Sequence, residues 1–312
     1  MKILITGGLG HIGSYLTRNL LKELPISEII IVDSLQTQRF SSLFNMPLTP
    51  KIEFIEKKVA DLNTADIMRN RAVDCVVHLA ATTDASGNLD NSEALFKNNL
   101  GSTTAMTDLC GSLEIPLIFP SSTSVYGSQS DLVDESCVEL VPQSPYAECK
   151  LQEEALIGEA VRKGLKGTIL RFGTIHGISE GMRFHTAVNR FCFQAANNVP
   201  LTVWKTALNQ KRPYLSLVDA NRAIGHVIQN SVYCGGIYNV LTNNHTVRDI
   251  IDAIELATGK KCEINFVDNA IMNQLSYEVS SKKFEATGFE FHGNLISDVS
   301  NTMSLLSGIS NE

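Results

Sequence analysis

Short apolar runs separated by amphipathic stretches organise the first half of the chain. The runs are typical of buried strands and lie at Lys2–Thr6, Glu28–Val32, Ile52–Ile55, Val73–Leu79, Pro116–Pro120 and Thr168–Phe172. Apolar positions at helical spacing between them predict helices at Ser14–Leu24, at Leu89–Cys110 and from Tyr146 to about Val161. Strands that alternate with helices in this way predict an α/β fold with a doubly wound parallel sheet of the Rossmann type.

The spacing of the elements loosens beyond residue 172. Helices are predicted at Ala187–Ala196, Asp219–Gln229, Val247–Thr258 and after Leu295, and strands at Leu201–Trp204, Tyr214–Leu217, Ile237–Val240 and Glu263–Val267. We therefore expect a Rossmann domain over residues 1–176, to which part of 205–240 returns. A smaller C-terminal mixed α/β lobe is expected over residues 177–312, with a crossover between the two at Gly177–Met182.

Composition and charge limit the kinds of protein to which this chain can belong. The chain has 312 residues, of which 44% are apolar and 19% are charged, as in ordinary globular proteins. Its net charge of −7 and the lack of a Lys/Arg-rich run argue against nucleic-acid binding. No apolar stretch approaches the roughly 18–20 residues of a membrane span, and the run at Ile3–Ile5 is too short for a signal peptide. Seven scattered cysteines without a Cys-x-x-Cys pair indicate reduced thiols, a cytoplasmic location and no metal site.

Three glycines follow the first predicted strand and open the first predicted helix. Gly7, Gly10 and Gly13 form a G-x-x-G-x-x-G pattern. Such a turn must be tight, its backbone must approach a pyrophosphate, and the helix must pack closely on the strand. The N–H groups and the positive dipole end of that helix then face the anion. The strand–turn–helix context predicts a dinucleotide site.

An aspartate at the end of the second predicted strand indicates which dinucleotide binds. Asp33 lies 20 residues after Gly13. A carboxylate there can accept hydrogen bonds from both hydroxyls of the adenosine ribose, and it repels a 2′-phosphate. The spacing therefore favours NAD over NADP, although an ordinary aspartate at a strand end is the alternative reading.

Tyr146 and Lys150 are the candidate chemical groups. Residues four apart project from one face of a helix, about one turn from each other. A lysine ammonium beside a phenol lowers the tyrosine pKa from about 10, which favours a general base or acid near neutral pH. The spacing also occurs by chance in many helices. The pair is informative here because a hydroxyl-rich segment, Ser121–Gly127, precedes it. That segment follows the fifth predicted strand, at the edge where parallel sheets bind ligands.

These motifs together resemble a known family. The chain is similar to extended short-chain dehydrogenases/reductases of the NAD-dependent epimerase/dehydratase family, which act on nucleotide sugars. The resemblance covers most of the chain and rests on the order and spacing of the glycine turn, Asp33, Asp61-Leu62, His78-Leu79-Ala80-Ala81, Asn99, Ser122–Gly127, Tyr146/Lys150, Leu170-Arg171-Phe172, Gly177, Arg212-Pro213-Tyr214, Asp219 and Tyr238-Asn239-Val240.

The resemblance implies a set of cofactor contacts. NAD would be bound by Gly7, Gly10, His11, Ile12, Gly13, Asp33, Asp61, Leu62, Leu79, Ala80, Asn99, Tyr146 and Lys150. In that arrangement the glycines cradle the pyrophosphate and Asp33 holds the adenosine ribose. Asp61 and Leu62 flank the adenine.

The resemblance also implies catalytic and substrate residues. Tyr146 would be the general base, Lys150 would hold the nicotinamide ribose and lower the pKa of Tyr146, and Ser122 would bond the reacting oxygen. The substrate, a nucleotide-diphosphate sugar, would be contacted in the C-terminal lobe and near the hydroxyl segment by Ser124, Thr174, Val203, Trp204 and Arg212. Among these, Arg212 matches the residue that binds the diphosphate in relatives.

The reaction implied is NAD-dependent epimerisation, most simply at C4 through a 4-keto intermediate. A net oxidoreductase, another dehydratase and a non-catalytic cofactor-binding protein are the alternatives. Relatives often form homodimers through the helix near 89–110 and the Tyr146 helix, and we expect a homodimer here.

Three departures from the family pattern bear on the substrate. Thr123 and Ser124 stand where 4,6-dehydratases carry Asp-Glu, which disfavours dehydration across C5–C6. The segment Ile271–Gln274 lacks the second phosphate-binding Arg of many relatives, so Arg183 or Lys211 would have to help hold a diphosphate. His176 replaces the usual Tyr, and of two alternatives, an acid on the substrate side or a packing change, we favour the packing change.

Overall fold

A computed structural model of the chain describes residues 1–61, 72–83, 92–267 and 276–308. Within these ranges the strands are β1 (Lys2–Thr6), β2 (Glu28–Asp33), β3 (Lys51–Glu56), β4 (Cys75–His78), β5 (Leu117–Ser122), β6 (Leu132–Val133), β7 (Gly167–Phe172), β8 (Thr174–His176), β9 (Leu201–Trp204), β10 (Lys211–Ser216), β11 (Cys234–Val240), β12 (Asn243–Thr246), β13 (Ile264–Val267) and β14 (Glu278–Val279). The α-helices are α1 (His11–Asn19), α2 (Ser92–Leu113), α3 (Pro145–Arg162), α4 (Ala187–Ala196), α5 (Leu217–Gln229), α6 (Val247–Thr258), α7 (Lys282–Glu285) and α8 (Leu295–Leu306).

Seven parallel strands form the central sheet. Their order is β11-β7-β5-β4-β1-β2-β3, so the chain builds outward from β1 in one direction and then resumes on its other side with β4. The predicted doubly wound parallel sheet is confirmed. The reversal of strand order between β1 and β4 opens a crevice at their carboxyl ends, where ligands of such sheets bind.

Helices cover both faces of this sheet, which explains its near-continuous apolar strands. Alternate residues of β1 point to opposite faces. Ile3 and Ile5 pack in the cluster that includes Leu16 of α1 and Ile224 of α5. Leu4 packs on the other face, in the cluster that includes Met106 and Cys110 of α2 and Ile157 of α3.

Smaller sheets and a second core make up the C-terminal part. The short sheets have the orders β12-β10-β8, β13-β9 and β14-β6. Helices α4, α6 and α8 enclose a separate apolar cluster, which contains Phe191, Leu201, Ile250 and Val299. Strand β11 lies outside this part, because it pairs with β7 in the central sheet. The predicted division of the chain near residue 176 stays a prediction.

Element boundaries differ from the predicted ones where capping or sheet pairing decides them. The first helix begins at His11, directly after Gly10, and ends at Asn19 before a 3₁₀ turn. Leu217 begins α5 and does not end β10, because the Ser216 hydroxyl accepts a hydrogen bond from the Val218 N–H and caps the helix. Strands β8 and β12 were not predicted, since both are short and polar and form by pairing with β10.

Two adjacent carboxylates of α3 are buried, Glu153 and Glu154. Glu154 forms a two-pronged ion pair with the buried Arg171 of β7, at 2.7 Å to Nη2 and 3.0 Å to Nε. It also accepts a hydrogen bond of 2.6 Å from the Ser121 hydroxyl of β5. Buried charges need such partners, so these contacts of Glu154 hold α3 against β5 and β7 of the sheet.

We expect Glu154→Gln to lower the free energy of unfolding by about 3–5 kcal/mol, because Arg171 would stay buried without its carboxylate. Urea unfolding followed by circular dichroism measures this. The matched control is Glu159→Gln on the same helix, whose exposed side chain pairs with Lys163 at the surface and should leave the unfolding midpoint essentially unchanged. Equal unfolding midpoints for the two variants would contradict the role of the buried pair.

Candidate active site

A cavity of about 470 Å³ lies at the carboxyl ends of β1, β2 and β4. Most of the predicted cofactor residues line it, namely Gly7, Gly10, His11, Ile12, Gly13, Asp33, Leu79 and Ala80. The crevice at the reversal of strand order is therefore where the structure brings these residues together. Their roles toward a cofactor remain predictions.

The glycine turn is as tight as its sequence pattern requires. Gly7 has φ of +65°, and a Cβ there would lie 2.7 Å from the backbone nitrogen of Ala80. A Cβ on Gly13 would lie 2.6 Å from the carbonyl oxygen of Gly7. Helix α1 begins after Gly10 with no capping side chain from the described residues. The N–H groups of its first turn thus face the cavity and fit a pyrophosphate.

Asp33 is held rigidly at the end of β2. Its Oδ2 accepts a hydrogen bond of 3.0 Å from the Leu9 N–H, and its Oδ1 accepts one of 2.9 Å from the Leu35 N–H. These bonds fix the carboxylate at the wall of the cavity. The remaining lone pairs fit the two hydroxyls of an adenosine ribose.

Basic side chains also line this cavity, and of these the sequence had suggested only Arg183, as a candidate for holding a diphosphate. They are Arg39, Lys57, Lys58 and Arg183. The Arg39 guanidinium donates to the carbonyl oxygen of Gly181, and Arg183 donates to the Thr83 hydroxyl. They come from segments after β2, β3 and β8 that are distant in sequence. Together they make the cavity attractive to phosphate groups.

Five predicted cofactor contacts are not among the eight above: Tyr146 and Lys150, which are described below, and Asp61, Leu62 and Asn99. Asp61 is exposed and is absent from the residues that line the cavity, and Leu62 lies outside the described residues. Asn99 is fully buried. Its Oδ1 accepts a hydrogen bond of 2.7 Å from the Thr82 N–H, and its Nδ2 donates one of 3.0 Å to the Thr82 carbonyl. Asn99 therefore shapes the segment after β4, while Asn98 lines the cavity.

The residues with candidate chemistry lie on α3 and on the segment after β5. Lys150 Nζ lies 5.9 Å from the ring centre of Tyr146 and 4.3 Å from that of Phe119. The hydroxyls of Ser122 and Ser124 are 2.8 Å apart. The positive charge of Arg183, which lines the cavity, acts to lower the pKa of Tyr146. The helical spacing thus produced the predicted Tyr–Lys pair.

The expected direction of the tyrosine pKa is wrong. Burial raises the pKa of Tyr146 above its ordinary value of 10, Lys150 lowers it and the Glu153 carboxylate raises it. Glu153 Oε2 lies 3.1 Å from Lys150 Nζ, so the ammonium faces an opposite charge as well as the phenol. Burial therefore outweighs the effect of the lysine.

The predicted substrate residues are arranged in two groups. Ser124 lies beside Ser122, whereas Thr174, Trp204 and Arg212 lie on β8, β9 and β10 and are partly exposed. The Arg212 guanidinium is 5.9 Å from the centre of the Trp204 ring. Val203 is 1% exposed, because its side chain belongs to the C-terminal core. Any contact of Val203 with a ligand would have to come from its backbone.

His176 is buried, which favours the packing role over a role toward the substrate. Its Nδ1 lies 3.1 Å from the carboxylate of Asp298 on α8, and its ring packs near Tyr214. It therefore joins β8 to the C-terminal core.

Residues 177–183 pack directly against the glycine turn. The Gly181 N–H donates to the Ser14 hydroxyl at 2.9 Å, and the Ser179 hydroxyl donates to the His11 carbonyl at 2.9 Å. A Cβ on Gly181 would overlap the carbonyl groups of Leu9 and Gly10. This crossover thus closes one side of the turn.

Comparison with known proteins places these features in a family. The family model described as NAD dependent epimerase/dehydratase matches residues 3–240. The uncharacterized UDP-glucose epimerase YtcB of Bacillus subtilis (strain 168) is 29% identical over 86% of this chain and 85% of its own length. A second relative, from Arabidopsis thaliana, is a trifunctional UDP-glucose 4,6-dehydratase/UDP-4-keto-6-deoxy-D-glucose 3,5-epimerase/UDP-4-keto-L-rhamnose-reductase. It is 26% identical over 96% of this chain, and the match covers 46% of its own length.

A solved structure shares the fold over the whole chain. The UDP-glucuronic acid 4-epimerase from Bacillus cereus, in complex with UDP-glucuronic acid and NAD, superposes with a TM-score of 0.88. The superposition covers 99% of both chains at 24% sequence identity. This likeness establishes the architecture of both the sheet and the C-terminal part.

We expect Gly7→Ala to weaken NAD+ binding about tenfold or more, because a Cβ there is strained at positive φ and meets the backbone of Ala80. Titration calorimetry on cofactor-stripped protein measures the dissociation constant. Gly111→Ala in α2, where a Cβ meets no atom within 4 Å, is the control and should leave binding unchanged. An unaltered dissociation constant for Gly7→Ala would rule out this turn as the pyrophosphate cradle.

Proposed function

The chain belongs to the NAD dependent epimerase/dehydratase family, and we propose that it epimerises a nucleotide-diphosphate sugar, most simply at C4, through a 4-keto intermediate. The observation that carries this proposal is the Tyr146–Lys150 pair, whose phenol is influenced by Arg183, a residue that lines the same cavity as the dinucleotide-type glycine turn. A proton acceptor and hydroxyl donors next to a hydride carrier are what oxidation of a sugar alcohol requires.

NAD is the cofactor that this family uses, and the residues of the cavity fit it. The turn from Gly7 to Gly13 would hold the pyrophosphate and Asp33 the adenosine ribose, with Lys57 and Lys58 adding positive charge. When bound, the nicotinamide supplies the acceptor and donor of hydride. Lys150 would hold the nicotinamide ribose from the α3 side of the site.

In the proposed reaction the phenolate of Tyr146 takes the proton of the sugar hydroxyl. Ser122 donates a hydrogen bond to the same oxygen and aligns it, while Ser124 supports Ser122 at 2.8 Å. Because burial raises the pKa of Tyr146, the positive charges of Lys150 and Arg183 must favour the phenolate. The phenol returns the proton once the 4-keto sugar has presented its other face.

The crossover 177–183 supports epimerisation over net oxidation. It is hydrogen-bonded to the Ser14 hydroxyl and to the His11 carbonyl at the start of α1. The Arg39 guanidinium donates a further hydrogen bond to the Gly181 carbonyl. Arg183, at the end of this crossover, lines the cavity, so we propose that the crossover helps to retain the cofactor during turnover. A retained cofactor suits a reaction that restores it in every cycle.

Dehydration across C5–C6 is disfavoured by the groups that follow Ser122. Thr123 is buried, and its hydroxyl donates to the carbonyl of Phe172 at 3.3 Å. The Ser124 hydroxyl is hydrogen-bonded to the Ser122 hydroxyl. Neither hydroxyl can replace a carboxylic acid or a carboxylate base, which removal of water needs.

The nucleotide part of the substrate would lie against Trp204 and Arg212. Their neighbouring positions allow the indole to stack on a base and the guanidinium to hold the diphosphate. Arg183 would supply a second positive charge to the diphosphate, because the segment that bears that Arg in relatives has none. That segment lies outside the described residues.

Assembly and location complete the proposal. Helices α2 and α3 pack side by side on one face of the sheet, and we propose that they form the interface of a homodimer. Among the described helices, none is both long and apolar enough to cross a membrane. We propose a cytoplasmic enzyme.

We expect the purified protein to interconvert one C4-epimer pair among UDP-, dTDP-, GDP- and CDP-sugars, with no net formation of NADH. Proton NMR identifies the products and absorbance at the NADH band follows the cofactor. Tyr146→Phe should lower the rate by about 10²–10⁴-fold, because the general base is lost. NADH that accumulates in step with product would instead identify a net oxidoreductase.

A further inference from the structure

A continuous series of buried polar groups joins Lys150 to the glycine turn. Lys150 Nζ lies 3.1 Å from Glu153 Oε2, and Glu153 Oε1 accepts a hydrogen bond of 2.5 Å from the Thr103 hydroxyl of α2. Thr103 is 3.3 Å from Nε2 of His78, whose Nδ1 is 2.6 Å from the Thr6 hydroxyl. All five side chains are 3% exposed or less. The series thus crosses from α3 through α2 and β4 to the end of β1.

The charge of Glu153 dictates the direction of each hydrogen bond in the series. A carboxylate only accepts, so Thr103 must donate its single proton to Glu153. His78 must then donate from Nε2 to Thr103. Burial, together with the charge of Lys150, lowers the pKa of His78 to about 3, so the ring is neutral and carries that one proton. Nδ1 therefore accepts from Thr6.

The last bond of the series reaches the wall of the cavity. The Thr6 hydroxyl oxygen accepts a hydrogen bond of 3.2 Å from the N–H of Ala80. Ala80 lines the cavity and is the residue that a Cβ on Gly7 would strike. The series of hydrogen bonds therefore ends at a backbone N–H group that borders the glycine turn.

We propose that Glu153 is a positioning residue: its carboxylate holds the ammonium of Lys150 and sets the direction of the hydrogen-bond series that ends at the glycine turn. The positioning of the lysine rests on the proposed function, whereas the direction of the series does not. Burial alone would lower the pKa of Lys150, but Glu153 and Tyr146 raise it, so the lysine stays charged within the core.

The titratable groups that face the Tyr146 phenol come from two segments. Lys150, Glu153 and Cys149 lie on α3, and Arg183 lies on the segment after β8. His78 of β4 and the Phe119 ring of β5 face Lys150 from the sheet. Lys150 and Arg183 favour the phenolate, whereas Glu153 opposes it. Removing the charge of Glu153 should therefore lower the pKa of Tyr146.

The tautomer of His78 tests the series without any substrate. In Glu153→Gln, the amide oxygen would face the Lys150 ammonium and the amide NH₂ would face Thr103. Thr103 would then donate to His78 Nε2, and the proton of His78 would move to Nδ1. Long-range proton–nitrogen NMR on protein labelled with ¹⁵N-histidine distinguishes the two forms. We expect Nε2–H in the wild type and in the control Glu159→Gln, and Nδ1–H in Glu153→Gln.

A second variant covers the case in which Glu153→Gln does not fold. Thr103→Val keeps the Lys150–Glu153 pair and removes the acceptor of the Nε2 proton, so His78 should again carry its proton on Nδ1. Nδ1–H in the wild type would overturn the proposal. Nε2–H retained in either folded variant would overturn it as well.

The pH dependence of epimerisation tests the positioning of the lysine. The acidic limb of the kcat profile should move to lower pH by about one unit in Glu153→Gln, because an opposing charge beside Tyr146 is removed. Glu153→Asp keeps the charge and should leave the limb near its wild-type position. A rate lowered equally at every pH would reduce Glu153 to a structural role. If the wild type converts no sugar nucleotide, the proposed function fails while the tautomer result still decides the series.

Discussion

The structure depends on a close approach of three backbone segments at positions without side chains. Gly7 lies against Ala80 in the segment after β4, Gly13 lies against the turn itself, and Gly181 brings the crossover onto the carbonyls of Leu9 and Gly10. Any Cβ at these positions would occupy space that backbone atoms fill. This packing leaves the first N–H groups of α1 open to the cavity, so one constraint on shape also provides the anion site.

Helix α3, which carries the reactive pair, is held in place by two neighbouring carboxylates. Glu154 pairs with Arg171 and fastens the helix to the sheet, whereas Glu153 pairs with Lys150 and faces α2. Successive residues on a helix point about 100° apart, so adjacent positions can serve separate purposes. Buried charges are costly unless they are paired and hydrogen-bonded, and both carboxylates meet that condition.

The same burial has opposite effects on the two groups of the reactive pair. It disfavours the phenolate of Tyr146 and the ammonium of Lys150 alike. Glu153 compensates the lysine, and by doing so it opposes ionisation of the tyrosine. A site built in this way holds its lysine charged before any substrate enters, and the phenol depends on the positive charges of Lys150 and Arg183.

The sequence alone determined the sheet class, the glycine turn, the aspartate at the end of β2 and the shared helical face of Tyr146 and Lys150. These are local features, because each is set by spacing within one element or one turn. The tertiary structure decided which way the pKa of Tyr146 moves, that Asn99 binds the Thr82 backbone and that Arg39 reaches Gly181. Desolvation and contacts between residues far apart in sequence arise only when the segments pack, so no local pattern carries them.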